Sequence, residues 1–202
     1  MERRFATFIS YLAHPLVIPI LGLLIIGNSG TYAAEINERY RQLIYLSVFI
    51  FTLLLPAALI PLYFYFGMTG NFQFTERRER LIPLYLTLIF YLAAYLLIKQ
   101  LPVSIVYQRF LFAGCISLIL VTAISHFWMI SLHTAGWGGL TGLVLMLSFR
   151  FNTDLMIILI ITLFISGLTA YARLKVSAHT SSQIYLGFLL GLAVMFCTFL
   201  MK

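Results

Sequence analysis

The chain has 202 residues, of which 62% are hydrophobic and only 9% are charged, and its mean hydropathy is +1.01. Ordinary soluble domains do not have this composition, so the sequence predicts a polytopic membrane protein. Thirteen Lys and Arg residues against six Asp and Glu residues give a formal charge of +7. On a membrane protein such an excess indicates contacts with lipid headgroups and water rather than with nucleic acid.

Seven apolar stretches follow one another along the chain, and most approach the roughly 20 residues that cross a bilayer core. They lie at about residues 12–28, 43–66, 81–98, 110–130, 136–149, 153–171 and 182–201. None alternates in the manner of a barrel strand, and backbone groups in lipid must be hydrogen-bonded internally. We therefore predict an all-α fold, a polytopic transmembrane helical bundle that forms a single domain over residues 1–202. It has six or seven spans, depending on whether the first stretch crosses despite Pro15 and Pro19.

Three polar clusters remain between the apolar stretches, at residues 75–83, 126–139 and 173–183. Two apolar stretches separate each cluster from the next, and two crossings return the chain to the face that it left. All three clusters are therefore expected at one membrane face. The residues that we expect to meet there around one cavity are Arg80, His133, Arg173 and His179.

The third cluster places Arg173, Lys175 and His179 at the edge of a bilayer. Charged groups are costly there and usually functional, and the anion that best suits these side chains is a phosphate. The chain has a single Asp, Asp154, and six scattered acids cannot build the carboxylate cluster that holds Mg²⁺. We therefore expect chemistry without a metal and without another cofactor.

Each cluster taken alone also has a structural interpretation. The arginines at 77–80 are typical of a solvated or headgroup-binding loop, and Ser131 is typical of a helix cap. His14 and His126 are interpreted as structural. The glycines near His133 and after Gln183 are spaced for close helix packing. Only the joint occurrence of the clusters at one face favours a functional site.

The third cluster resembles the third motif of the type-2 phosphatidic acid phosphatases, a family of membrane lipid phosphatases. That motif reads Ser-Arg, five residues, His, three residues, Asp, and glycines at four-residue spacing follow it. Arg173 and His179 stand at the family interval. The other positions are Ala172 in place of the Ser, Gln183 in place of the Asp, and Gly187 and Gly191 in register.

The other two motifs of the family are matched more loosely, and the whole resemblance covers roughly residues 73–191. Of the second motif, Pro-Ser-Gly-His, Ser131 and His133 are present. Of the first motif, Lys, six residues, Arg-Pro, the best match is Arg80 with Pro83, and Gln73 stands in place of the Lys. The order and spacing of the three motifs are more specific than any one of them.

The resemblance implies an enzyme, a lipid phosphate or diphosphate phosphohydrolase that works through a phosphohistidine. His179 would be the nucleophile and His133 the general acid and base, with Arg173 completing the catalytic set. The phosphate would be bound by Arg80 and Ser131, assisted by Arg78 or Lys175. Gln183 would orient His179.

The resemblance also implies a location and a set of partners. The protein would lie in the bacterial inner membrane with its active site facing the periplasm. Its partners would be membrane lipids, with a lipid phosphate as substrate that enters sideways from the bilayer.

Two other functions stay open at this point. Gln183 accepts a hydrogen bond but brings no charge, so the chain could be a catalytically impaired relative that binds or transports lipid phosphates. The chain could also be an intramembrane serine hydrolase that uses Ser131 with His179, although it lacks a Gly-x-Ser-x-Gly elbow.

Overall fold

The structure, a computed structural model, describes residues 2–67 and 77–201, except for the side chains of Arg77 and Arg78. Within these ranges the chain is helical and forms no strand, which confirms the predicted all-α fold there. The α-helices are α1 (Glu2–Leu12), α2 (Ile18–Gly27), α3 (Glu38–Val48), α4 (Leu55–Tyr65), α5 (Arg77–Lys99), α6 (Ile105–Ser125), α7 (Leu132–Phe151), α8 (Met156–Lys175) and α9 (Ser181–Leu200).

Seven helical runs in the described part of the chain are long and apolar enough to cross a membrane. Five of them are the single helices α5 to α9, although the α5 run is counted from Glu79. The other two, Glu2–Gly27 and Glu38–Tyr65, each join two α-helices. This set of helices is compatible with an integral membrane protein.

The first run is interrupted where Pro15 follows His14. His14 is extended, with φ −63° and ψ 138°, because a residue before proline avoids the helical conformation. A short 3₁₀ turn, Pro15–Val17, then leads into α2. On α1 the buried residues Ala6 and Ser10 are four apart, so this helix packs one face of small side chains against the bundle.

The ends of this first run lie at opposite ends of the bundle. At its beginning, Glu2 forms a 2.7 Å ion pair with Lys175, the last residue of α8. Beyond its end, the ring of Tyr32 packs edge-on against Phe151, the last residue of α7, with centroids 5.1 Å apart. Since α7 and α8 run in opposite directions, the first run extends through the bundle despite its break.

The second run contains a π-helical turn, Phe49–Leu54, between α3 and α4. Pro56 at the start of α4 has no N–H to donate, and a wider turn before it accommodates the missing hydrogen bond. Within the turn the buried hydroxyl of Thr52 donates to the carbonyl oxygen of Val48 at 2.8 Å. The helix therefore passes the proline without ending.

Helices α7 and α9 pack at backbone contact along a line of glycines, as their spacing predicts. A Cβ added to Gly138 would lie 2.0 Å from the carbonyl oxygen of Phe188, and one added to Gly191 would lie 1.9 Å from that of Ala135. Neither separation is possible for real atoms, so only glycine fits at these positions. This seam fixes the beginning of α9 beside the beginning of α7.

The described parts of the three polar clusters meet at one end of the bundle, which we call the site end. It consists of the first turns of α5, α7 and α9, the last turn of α8 and the loops that join them. The Ser131 N–H donates to the carbonyl oxygen of Gln183 at 3.1 Å, and Arg80 reaches the carbonyl oxygen of Ile130 at 3.0 Å. These contacts agree with the expectation from span parity.

Candidate functional site

A cavity of about 380 Å³ opens among the helices at the site end. Its polar lining includes the four residues that the sequence predicts to converge, Arg80, His133, Arg173 and His179, together with His14. Among the described residues that line it there is no Asp or Glu. The cavity is therefore basic, and its ligand is expected to be an anion.

Arg80 lies in the first turn of α5 and is only 7% exposed. Its Nη1 donates to the carbonyl oxygen of Ile130 at 3.0 Å, in the loop between α6 and α7. One hydrogen bond to a neutral carbonyl positions the guanidinium but does not balance its charge. Most of its five N–H donors are left for a ligand.

Arg173 lies in the last turn of α8 and is 4% exposed, so it is even more buried than Arg80. Its Nε atom has no hydrogen-bond partner among the described residues. The ion pairs of the described residues involve other basic groups. Buried charges are normally paired, so two unpaired guanidinium groups in one cavity indicate a binding site for an anion.

His179 lies in the loop between α8 and α9, where its ring orientation is set by two acceptors. Its Nδ1 is 3.1 Å from the carbonyl oxygen of Met129 and 3.2 Å from Oε1 of Gln183. That Oε1 also accepts the Thr180 N–H at 3.0 Å, which identifies it as oxygen rather than nitrogen. Since both partners can only accept, Nδ1 carries the proton and Nε2 keeps the lone pair.

The surroundings of His179 keep the ring neutral. Burial, and then the positive charges of Arg173 and Arg80, lower its pKa from the usual 6.5 to about 4. Its hydrogen bonds to Gln183 and Met129 act in the opposite direction but more weakly. At neutral pH the imidazole is therefore uncharged, which is the form that can act as a nucleophile.

His133 is the second residue of α7, and it is held by the N-terminal segment. Its Nε2 lies 3.2 Å from the carbonyl oxygen of Ser10 on α1, so this nitrogen carries the proton in the neutral ring. The ring packs edge-on against that of His14, with centroids 5.3 Å apart. Nδ1 is the nitrogen left to accept or donate a proton.

Two predicted residues support the cavity without being among its lining residues. Ser131 is fully buried and is the N-cap of α7, where its Oγ accepts the Thr134 N–H at 3.4 Å. Gln183 holds His179 and also completes a capping box with Thr180 at the start of α9. The structure thus gives Gln183 the orienting contact that the sequence predicts, and it gives Ser131 a capping contact instead of a phosphate-facing one.

Lys175, another predicted phosphate ligand, does not line the cavity. The ammonium group of Lys175 pairs with Glu2, its side chain is 44% exposed, and it is not among the lining residues. Lys175 lies two residues beyond Arg173, and residues two apart point to opposite sides of an α-helix. Its side chain therefore leaves α8 away from the cavity that Arg173 lines. The side chain of Arg78 lies outside the described residues, as does Gln73.

Sequence reasoning missed the contribution of the N-terminal segment. His14 was interpreted as structural, and its Nδ1 does accept the Leu16 N–H at 3.3 Å, which caps the 3₁₀ turn. His14 is nevertheless one of the lining residues of the cavity, and so is Ser10. The sequence feature that could have indicated this contribution is a histidine directly before a proline, at the point where an apolar run is interrupted.

The cavity also has an extensive apolar part between α2, α4, α5 and α6. Its lining there includes Ile60, Leu84, Tyr91, Phe110 and Leu118. Arg80 and Tyr91 are 11 residues apart on α5, which corresponds to about 16 Å along the helix. The cavity therefore combines a basic end with a long apolar interior.

No protein-family model, curated protein or solved structure matches this chain. The resemblance to the type-2 phosphatidic acid phosphatases consequently depends on the motif residues themselves. Within the described ranges, no three His, Cys, Asp or Glu side chains are grouped so that they could hold a metal ion. The expectation of metal-free chemistry stays a prediction.

Proposed function

We propose that the protein is an integral membrane phosphohydrolase that removes phosphate from a lipid phosphate or diphosphate through a phosphohistidine, without a metal. The main support is that Arg80, Arg173 and His179 line one cavity and that no carboxylate among the described residues neutralises the two arginines. The shared motif spacing of the type-2 phosphatidic acid phosphatases supports the same reaction.

In the first step the phosphoryl group binds to the two guanidinium groups, which stabilise the negative charge on its nonbridging oxygens. The lone pair on Nε2 of His179 attacks phosphorus, and the P–O bond to the lipid breaks. The leaving alkoxide takes the proton from Nδ1 of His133, whose protonated form is favoured by the negative charge of the bound substrate, so the lipid departs as an alcohol. Gln183 and Met129 hold Nδ1–H of His179 during the attack.

In the second step water attacks the phosphohistidine. Nδ1 of His133, now neutral, accepts a proton from that water while the N–P bond breaks. Phosphate leaves, His179 regains its lone pair, and His133 is protonated again. The Ser10 carbonyl accepts the other ring N–H of His133 throughout, which keeps Nδ1 available for both proton transfers.

A lipid is the substrate best suited to a cavity with a basic end and an apolar interior. The headgroup phosphate would lie between Arg80 and Arg173, and an acyl or prenyl chain would lie along the apolar part. We further propose that all seven runs cross the membrane, because each is long and apolar enough and because Glu2 and Tyr32, at the two ends of the interrupted first run, lie at opposite ends of the bundle. By the resemblance, the site end faces the periplasm of a bacterial inner membrane.

The alternative function is the binding or transport of lipid phosphates without hydrolysis. One observation favours it: the group that orients His179 is the neutral amide of Gln183, which does not stabilise a positive imidazole ring. Such a protein would need the two arginines. It would not need His133 and His179 in the same cavity, and their joint presence favours the phosphatase.

The deciding experiment measures phosphate release by the purified protein in detergent. Candidate substrates are phosphatidate, phosphatidylglycerophosphate, undecaprenyl diphosphate and lipid A, each assayed with and without EDTA. We expect release that EDTA does not abolish, and an acid-labile, alkali-stable phosphoryl label on the protein. Loss of release on chelation that Mg²⁺ restores would contradict the proposed chemistry.

Matched histidine variants connect the activity to the cavity. His179→Ala and His133→Ala are expected to abolish release while the protein remains folded. His126→Ala is the control, because His126 is exposed and is not among the lining residues of the cavity. Wild-type release by either cavity variant would contradict the mechanism. Phosphate-dependent binding without any release would favour the alternative.

A further inference from the structure

The N-terminal segment contributes three groups to the site end that the motif pattern does not contain. The Ser10 carbonyl oxygen holds His133, and Ser10 and His14, which carry a hydroxyl and an imidazole, are both among the lining residues of the cavity. This segment is anchored nearby, since the Trp137 Nε1–H donates to the Ala13 carbonyl oxygen at 3.1 Å. Ser10 and His14 therefore belong to the wall of the cavity although they precede α7 by more than 110 residues.

The hydroxyl of Ser10 is a buried donor without a partner. Ser10 is 4% exposed, and its Oγ has no hydrogen bond to any described residue. An unpaired buried hydroxyl destabilises the folded state, so native proteins rarely leave one without a ligand or water. Arg173 Nε, also in this cavity, is unpaired in the same way.

His14 presents a second donor. Its Nδ1 accepts the Leu16 N–H, and a backbone N–H can only donate, so the neutral ring carries its proton on Nε2. That Nε2–H has no hydrogen-bond partner among the described residues. Arg173 lines the same cavity as His14 and His133.

From the unpaired donors and the shared cavity we infer that Ser10 and His14 form a phosphoryl-binding subsite with Arg173. The Ser10 Oγ–H and the His14 Nε2–H donate to oxygens of the phosphoryl group, whose charge Arg173 and Arg80 balance. The ligand class is a phosphate monoester or phosphate ion. This inference depends on the proposed function for its ligand, but it assigns binding residues that the resemblance does not supply.

Binding measurements on the full chain in detergent test the subsite. Ser10→Ala removes only the hydroxyl and leaves the carbonyl that holds His133. His14→Asn places an acceptor where Nδ1 caps the turn and removes the Nε2 donor, whereas His14→Gln keeps a donor at the reach of Nε2. The matched controls are Ser182→Ala and His126→Asn, at exposed positions outside the cavity.

The probes are inorganic phosphate and dioctanoyl phosphatidate, titrated separately by calorimetry. A hydrogen bond to a charged acceptor contributes about 1.5–3 kcal/mol, so Ser10→Ala and His14→Asn are each expected to weaken binding about tenfold or more. His14→Gln is expected to stay within about threefold of the wild type. Weaker binding of both probes, or of the lipid alone, by the two variants supports the subsite. Comparison of the two probes shows whether the subsite binds free phosphate or only the phosphate of a lipid headgroup.

Binding of both probes by Ser10→Ala and His14→Asn at the affinity of the controls would overturn the subsite. If His14→Asn does not fold, Ser10→Ala decides alone. Phosphate release by the wild type is measured in parallel. No release, together with binding that depends on Ser10 and His14, would contradict the phosphatase and leave the subsite in place. Release with unchanged binding in both variants would contradict the subsite alone.

Discussion

Gln183 holds His179 through a hydrogen bond of 3.2 Å between Oε1 and Nδ1. The two residues are four apart where α9 begins, and the same Oε1 accepts the Thr180 N–H of the capping box. The amide therefore fixes both the ring and its tautomer. Because it is neutral, it would offer no compensation for the positive charge that the ring acquires in the proposed step, when Nε2 bonds to phosphorus.

Substitution of Gln183 by a carboxylate is expected to increase turnover. A buried carboxylate in a serine protease triad contributes about 10⁴-fold, but much of that is tautomer control, which Gln183 already provides. We therefore expect a gain on the order of tenfold for Gln183→Asp, measured as kcat for phosphate release. Gln183→Glu keeps the length of the side chain and serves as the matched variant. If both variants fold, bind phosphate as before and release none, the binding function is favoured instead.

The pH dependence of kcat/KM is expected to report the low pKa of His179. Burial and the charges of Arg173 and Arg80 lower this pKa to about 4, and the nucleophile must be neutral. Activity should therefore persist as the pH falls below the usual histidine range and decline only near pH 4. In Gln183→Glu the carboxylate favours the protonated ring, so the acidic limb should move to higher pH. An acidic limb near pH 6.5 in the wild type would contradict the neutral, buried ring.

The convergence of Arg80, His133, Arg173 and His179 was predictable because it depends on topology alone. Each polar cluster is separated from the next by two membrane-length stretches, and this parity is unaffected by errors of several residues in a helix boundary. The helix seam was predictable for a similar reason, since glycines four apart mark a face that allows close approach. Neither inference requires knowledge of individual side-chain contacts.

The role of Ser10 and His14 could not be predicted from the sequence because it depends on which helices are neighbours. The His133 contact with Ser10 joins residues 123 apart, and nothing in the local pattern specifies such a pairing. The ion pair of Lys175 was missed for the same reason, since its partner Glu2 lies at the other end of the chain, although helix geometry alone could have placed Lys175 on a different side of α8 from Arg173. The number of membrane crossings between two residues predicts whether they lie at the same membrane face. It does not predict which side chains at that face contact one another.

The seam between α7 and α9 gives a prediction about stability. In Gly191→Ala the new methyl group would overlap the Ala135 carbonyl oxygen, so the helices must separate. Overpacking of this kind typically costs about 1–3 kcal/mol, and we expect a clear loss of thermal stability in detergent. Gly167→Ala on α8 is the control, because its Cβ would meet no atom within 4 Å and alanine favours the helix. Equal melting temperatures for the two variants would contradict the backbone contact.

The apolar part of the cavity predicts selectivity for chain length, and Gly114 on α6 is the position from which to test it. Gly114 lines the cavity, and its Cβ would lie 3.3 Å from the ring of Tyr91, so a leucine there would occupy the apolar interior. It is 11 residues from the end of α6, which places it about 16 Å from the site end. A lipid phosphate with chains of about four carbons would not reach this depth, whereas a long chain would.

We therefore expect Gly114→Leu to lower kcat/KM for a long-chain lipid phosphate about tenfold, because the added side chain overlaps the lipid chain and overpacking costs about 1–3 kcal/mol. The kcat/KM for a short-chain analogue should change little, since its chain does not reach Gly114. Gly167→Leu, on α8 outside the cavity, controls for the added bulk, and the melting temperature of each variant verifies folding. An equal loss with both substrates would show that the apolar interior does not hold the lipid chain. In that case the chain would have to remain in the bilayer while the headgroup alone enters between Arg80 and Arg173.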